Sequence, residues 1–239
     1  MNGAFASLQS RLQFHHGRRL DENGWQRLER VVPYPLYLKS ARETSLSPWL
    51  RAIGDADAPS VLEQRLREAL LHNTAEVARW APPAWRPAVT WTGQLWQLPA
   101  WQHLWRGEAL PAGLLLTASA EIDRLEQSWR AGTPLLTAWL NRWRGLWPAR
   151  KGHWAPPLEQ LTALLYSHAR QFQQLPDAEA ARLARQRLQQ RLHLLFRRHI
   201  GQPAALFVHL ALMALDFERL RGGLLLRALY HHTSDTEPA

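Results

Sequence analysis

Residues 57–83 read DAPSVLEQRLREALLHNTAEVARWAPP. Leu62, Leu66, Leu70, Val77 and Trp80 recur at mostly four-residue steps, which gathers apolar side chains on one face of an α-helix. Asp57-Ala58-Pro59-Ser60 opens the segment with helix-start residues. Pro82-Pro83 closes it, because proline has no N–H with which to continue the helical ladder. The same grammar repeats on both sides. Nowhere does it give way to sustained apolar/polar alternation, or to an Asn-Gly or Asp-Gly turn between β-branched runs. The chain is therefore expected to be all-α.

Working outward, residues 4–16 place Phe5, Leu8 and Leu12 on one stripe, and Asp21 is a good N-cap for a helix carrying Trp25 and Leu28. Pro33 and Pro35 break the chain before a short segment ending near Arg42, and Ser47-Pro48 reads as a cap and first helical residue leading to a stop at Gly54. From Pro82 to Trp105 the chain is interrupted by Pro87 and Pro99 and is dense in tryptophan. Helices are then expected at 118–131, from Thr133-Pro134 through Trp147, and at 157–174, 178–199 and 203–230. The segment PARKGHWAPP, 148–157, is the best linker candidate, dividing N-terminal helical lobes at 1–147 from a C-terminal lobe with a long final helix at 158–239. The polar tail HHTSDTEPA is expected to fray.

Composition narrows the function classes. At 239 residues and 46% apolar content the chain can bury a substantial core and does not have the make-up of a disordered protein. It has no cysteine, which removes disulfide scaffolds, cysteine-ligated zinc, iron–sulfur clusters and thiol nucleophiles together. No apolar run approaches the roughly 20 residues of a membrane-spanning helix, and MNGAFASLQSRLQF lacks a basic-then-apolar signal pattern, so a cytoplasmic protein is expected.

The net charge of +9 suits an anionic partner, yet lysine occurs only at Lys39 and Lys151, and an arginine-dominated excess is equally a mark of a GC-rich genome. Its sharpest feature is a run of six arginines, Arg182, Arg185, Arg187, Arg191, Arg197 and Arg198, with no acid from the first to the last. Leu188, Leu192 and Leu195 keep the buried stripe, so these arginines share the other faces. Such a run is either solvated or a docking surface for acidic protein or nucleic acid, because like charges at helical spacing repel one another unless something answers them.

No catalytic constellation is present. GxSxG, P-loop, GxGxxG and HExxH are all missing. His15-His16 and His231-His232 are adjacent pairs and not at the i, i+4 spacing that lets two imidazoles share a metal, and His209 lies inside the apolar run AALFVHLALMAL as a core histidine. Asp216 and Glu218 fall on different helix faces. The tryptophans at 80, 85, 91, 96, 101 and 105 could form stacking platforms for single-stranded nucleic acid, but few basic residues accompany them. Trp139, Trp143 and Trp147 form a four-residue ladder, the geometry of a helix seam. A packing role is expected, with no metal, no cofactor and no small-molecule substrate.

Three stretches carry a family resemblance. Residues 16–50, HGRRLDENGWQRLERVVPYPLYLKSARETSLSPWL, resemble the first repeat of the central-stalk d/C subunit of rotary V/A-type ATPases, with Leu20, Leu28, Leu36, Leu38 and Thr44 in its marked places. Residues 209–229, HLALMALDFERLRGGLLLRAL, resemble that family's final helix, where Asp216, Leu220 and Arg221 match an acidic residue followed by a Leu-Arg pair. Residues 65–89 resemble its short proteobacterial members, and LLLTASAEIDRL at 114–125 is a faint internal echo of the repeat. The resemblance implies a funnel-like bundle of related helical lobes, one of them abbreviated. At this length, roughly a hundred residues below the familiar members, the alternative is that all three lobes are present and compact. The resemblance also implies a non-catalytic rotor subunit that links the membrane ion-carrying ring to the central shaft and transmits torque for ATP-coupled proton or sodium transport. The implied partners are rotor-ring and central-shaft subunits, with peripheral contact at the cytoplasmic face of the inner membrane and no nucleic acid. Arg182, Arg185, Arg187, Arg191, Arg197, Arg198, Asp216 and Arg221 are the candidate interface residues. The rival readings are a basic helical nucleic-acid-binding adaptor, whose binding would fall steeply with salt, and a scaffold of another membrane complex.

Overall fold

A computed structural model of the chain describes residues 3–110, 116, 118–148 and 152–234, and the regular structure among those residues is all helix, with no strand. None of the described helices is long and apolar enough to cross a membrane. Two compact units form: one from residues 1–59 together with 151–239, the other from residues 60–150. One boundary between the units, at 150/151, falls within the expected 148–157 linker, and a second falls at 59/60, where none was expected. The first 59 residues fold with the C-terminal part of the chain, and the last residues of that linker already belong to a helix starting at Ala155. Residues 149–151 of the linker lie outside the described residues.

The discontinuous unit is built on its longest helix. It contains α1 (Gly3–Gly17), α2 (Glu22–Glu29) and α3 (Tyr34–Arg42) from the start of the chain. Asp21 caps α2, its carboxylate accepting from the Gly24 N–H at 2.7 Å, so the expected helix start is in place. Thr44 closes α3 by donating to the Ala41 carbonyl at 2.7 Å while accepting from the Leu46 N–H at 3.1 Å. The helix expected from Ser47 to Gly54 is only a single 3-10 turn, Ser47–Trp49. Asp57 takes the Gly54 N–H at 2.6 Å and turns the chain there.

After the excursion into the other unit come the remaining helices of this one. Chain order numbers α4 (Pro59–Trp80), α5 (Arg86–Thr92), α6 (Leu98–Trp105), α7 (Ala120–Arg130) and α8 (Leu135–Gly145), followed by α9 (Ala155–Phe172), α10 (Ala178–Arg198) and α11 (Pro203–Ser234). α11 packs against α1, α3, α9 and α10. Ala204, Leu206, Val208, Leu212, Leu220, Leu224 and Ala228 on it are completely buried. Trp25, Tyr37, Leu38 and Leu50 are equally closed to solvent, and Phe217 meets Trp49 with ring centroids 5.2 Å apart. Burying an aromatic or leucine side chain is worth about 1.5–3 kcal/mol, so this long-range face is the main source of the unit's cohesion.

The continuous unit, residues 60–150, holds α4 to α8 and two 3-10 turns, Pro83–Trp85 and Gly93–Trp96. Its core is the tryptophan set. Trp139 stacks on Trp91 at 6.3 Å and on Trp143 at 6.1 Å, Trp143 meets Trp147 edge-on at 5.0 Å, and the Trp91 indole N–H donates to the Trp139 carbonyl at 3.2 Å. Trp105 contacts Trp129 at 5.7 Å. Trp85, Trp91, Trp101, Trp105, Trp139, Trp143 and Trp147 are all buried, so their rings are interior surface and not platforms for bases.

Candidate functional site

Polar side chains of the discontinuous unit collect where α1 meets α10 and α11. Arg19, just past the end of α1, donates from Nε and Nη2 to the two carboxylate oxygens of Asp216 at 2.6 and 2.7 Å, and from Nη2 to the Leu212 carbonyl at 3.1 Å. Both side chains are about nine-tenths buried. A charged pair so enclosed survives only when forked geometry and extra hydrogen bonds compensate for lost hydration. Burial pushes the Asp216 carboxyl up, and the Arg19 hydrogen bond and charge pull against it without fully cancelling it. Asp216, expected at an interface, is instead an internal clamp between the two ends of the chain.

Four histidines surround this pair. His193 Nδ1 lies 3.3 Å from His16 Nε2, and its Nε2 lies 3.5 Å from Arg19 Nη1. His16 stacks on Phe196 at 4.1 Å, and the His15 and His209 rings are 6.2 Å apart. Burial, then the charge of Arg19 and the neighbouring rings, lowers His193 to about 4; burial, then His15 and Arg19, lowers the enclosed His209 to about 3. Burial followed by Arg19 and Arg197 also lowers His16. Burial and the nearby Arg19 cation thus favour the neutral form of His16, His193 and His209. Among the described residues no group of three or more His, Asp or Glu side chains could hold a metal ion.

Two more arginines tie α11 to the start of the chain. Arg219 pairs with Glu22 at 2.8 Å and Glu29 at 2.6 Å and lies over the Trp25 ring. Burial opposes its charge, yet the Glu29 and Glu22 hydrogen bonds raise its pKa above the ordinary arginine value. Arg227 donates to the Val31 and Glu29 carbonyls, each at 2.7 Å, and covers the Tyr37 ring, whose hydroxyl burial pushes up to about 12. Arg19, Arg219 and Arg227 are the structural arginines that sequence reasoning missed. Each resembles any other surface arginine until its partner, nearly the whole chain away, is known.

The six arginines of α10 do not form one patch. Arg182 pairs with Glu179 at 2.6 Å, one turn before the acid-free run, and Arg185 sits over the Phe172 ring at 4.9 Å. Arg197 faces the His16 and His193 side. Arg187, Arg191 and Arg198 instead line the cleft between α9 and α10. Arg221 is half-buried on α11. Thus the structure assembles three of the eight expected residues, commits Asp216 to the interior, and disperses the remainder. No protein-family model matches the chain, no curated protein matches it, and no solved structure matches it.

Proposed function

We propose that this chain is a non-catalytic central-stalk subunit of a V/A-type rotary ATPase. In that role it connects the membrane ion-carrying ring to the central shaft and passes torque for ATP-coupled proton or sodium transport. The observation that carries the reading is the joining of the two resembling stretches, 16–50 and 209–229, in a single folded unit clamped by Arg19 and Asp216. A part that transmits torque must resist shear between its elements. Forked ion pairs from Arg19 and Arg219 and the carbonyl clamp of Arg227 supply directional links of that kind across helices packed on α11. Seating in this reading is peripheral, at the cytoplasmic face of the inner membrane, in keeping with the absence of a membrane-long apolar helix among the described residues.

Gentle-detergent purification of the tagged protein from native membranes, with every co-purifying chain identified, tests the proposal. Rotor-ring and ATPase-head subunits should be recovered in fixed ratio to the tagged chain. Recovery of nucleic acid, of an unrelated membrane complex or of the free monomer alone would overturn it.

A further inference from the structure

We infer that the cleft between α9 and α10 is a docking groove for an acidic amphipathic helix contributed by a partner chain. The inference does not depend on the stalk reading, since it stands on the groove's own shape and chemistry. α9 and α10 form a hairpin through the short 173–177 connection, and the trough between them holds two cavities of about 770 and 450 Å³ that share Leu164, Ser167 and Arg191. It runs from Ala180 to Arg198 along α10, about 27 Å at the helical rise, which is the length of a five-turn helix.

The floor is mainly apolar, with His168, Gln171, Gln174 and Gln190 beside the leucines of its wider part. Leu164, Leu175, Leu183 and Leu188 line the wider part, and Leu194 and Leu195 the narrower. Leu183 and Leu194 remain 39% and 65% exposed, although Leu192 on the same helix is closed completely. The positive rim is Arg187, Arg191 and Arg198, and no Asp or Glu lines either cavity among the described residues. These arginines occur at i, i+4 and i+11, about 6 Å and then about 10 Å apart along the axis, a spacing that carboxylates at the same intervals on a facing helix would meet. An apolar floor with a one-sign rim is the helix-in-groove arrangement, in which leucines at i and i+3/i+4 fill the trough and flanking charges set the register. The leucine floor also separates this cleft from a phosphate-binding surface, where charge without apolar area would suffice.

The test uses the full-length protein and a fluorescein-labelled amphipathic peptide of about five helical turns, with leucines on one face and glutamates flanking them. Three further probes are its glutamine analogue, a scrambled peptide of identical composition, and phosphatidylglycerol vesicles. The acidic peptide should bind the protein at least about tenfold more tightly than the other two peptides, weakening between about 50 and 300 mM salt. Arg187→Glu/Arg191→Glu should abolish that advantage and Leu194→Ser should reduce it several-fold. Arg51→Glu/Arg79→Glu changes net charge equally at exposed sites outside the groove and should leave the advantage within about twofold. Circular dichroism and melting of each variant establish that it is folded. Equal weakening by both double variants would reduce the binding to bulk charge and overturn the inference, as would equal binding of the scrambled peptide. Vesicles that displace the peptide in an Arg187- and Arg191-dependent manner would overturn it in favour of a headgroup site.

Discussion

At the scale of single residues, the Arg19–Asp216 pair shows how little an isolated side chain announces about its role. Asp216→Asn keeps the shape and removes the charge, leaving Arg19 buried with a weaker partner. Truncating one member of an enclosed pair typically costs about 3–5 kcal/mol, whereas replacing both by apolar groups is often close to neutral. Urea unfolding should therefore show a large loss for Asp216→Asn and a smaller one for Arg19→Met/Asp216→Leu; an Asn variant as stable as the parent would mean the pair is not closed to water. The buried histidines give a pH dependence of definite sign. His209, at about 3, and His193, at about 4, lie below the ordinary value of 6.5, so the unfolded chain binds protons that the folded one refuses. Their stabilising share is complete above pH 6.5 and is lost as pH falls toward those lower values. Within that window the enclosed His209 is the larger contributor and the half-buried His193 the smaller. Melting temperatures measured from pH 7.5 to 4.5 should fall progressively below about 6.5, and His209→Leu should flatten the fall. Glu22, held low by its hydrogen bond to Arg219, contributes a further loss only below the ordinary glutamate value of 4.5.

Helices and caps were the level most open to reading from sequence. The breaks at Pro33, Pro82 and Pro134, the cap at Asp21, the ends of α3 and α10 and the start of α11 fall where propensity and capping chemistry place them, because those forces act within about four residues, whereas α11 continues to Ser234, past the expected end at 230. An exception is the segment from Ser47 to Gly54, where only the 3-10 turn Ser47–Trp49 forms and Asp57 takes the Gly54 N–H. α11 contains a sharper contrast. Gly222 and Gly223 are adjacent, and helix propensity favours alanine over glycine by about 1 kcal/mol at either. A methyl at Gly222 would meet nothing within 4 Å, while one at Gly223 would press on the Tyr37 hydroxyl and lie 2.9 Å from its Cζ. Tyr37 is wholly buried beneath Arg227 and has nowhere to yield. Gly222→Ala should accordingly stabilise by up to about 1 kcal/mol and Gly223→Ala should destabilise by about 1–3 kcal/mol in denaturant melts. Equal effects at the two positions would contradict the packing described for Tyr37.

Across the whole molecule, the discontinuous unit is what sequence order concealed. α1 and α3 have their apolar faces covered by α11, Arg219 of α11 lies over Trp25 of α2, and Arg19 reaches Asp216 across 197 positions. A chain ending at Gln202 should thus lose the hydrogen-exchange protection of α1–α3 amides, although none of those residues is altered; persistence of that protection would show that the first segment folds without α11. All-helical character, several of the helix starts and ends, the packing role of the tryptophan ladder and the exposure of the α10 arginines were legible in the sequence, since each follows from spacing, capping and charge within a few turns. Which arginines are bound internally, which three share a groove, and which ends of the chain form one unit were decided by tertiary structure. Those outcomes depend on apolar faces meeting and on charges pairing once buried, and both arise between residues whose separation along the chain carries no local signal.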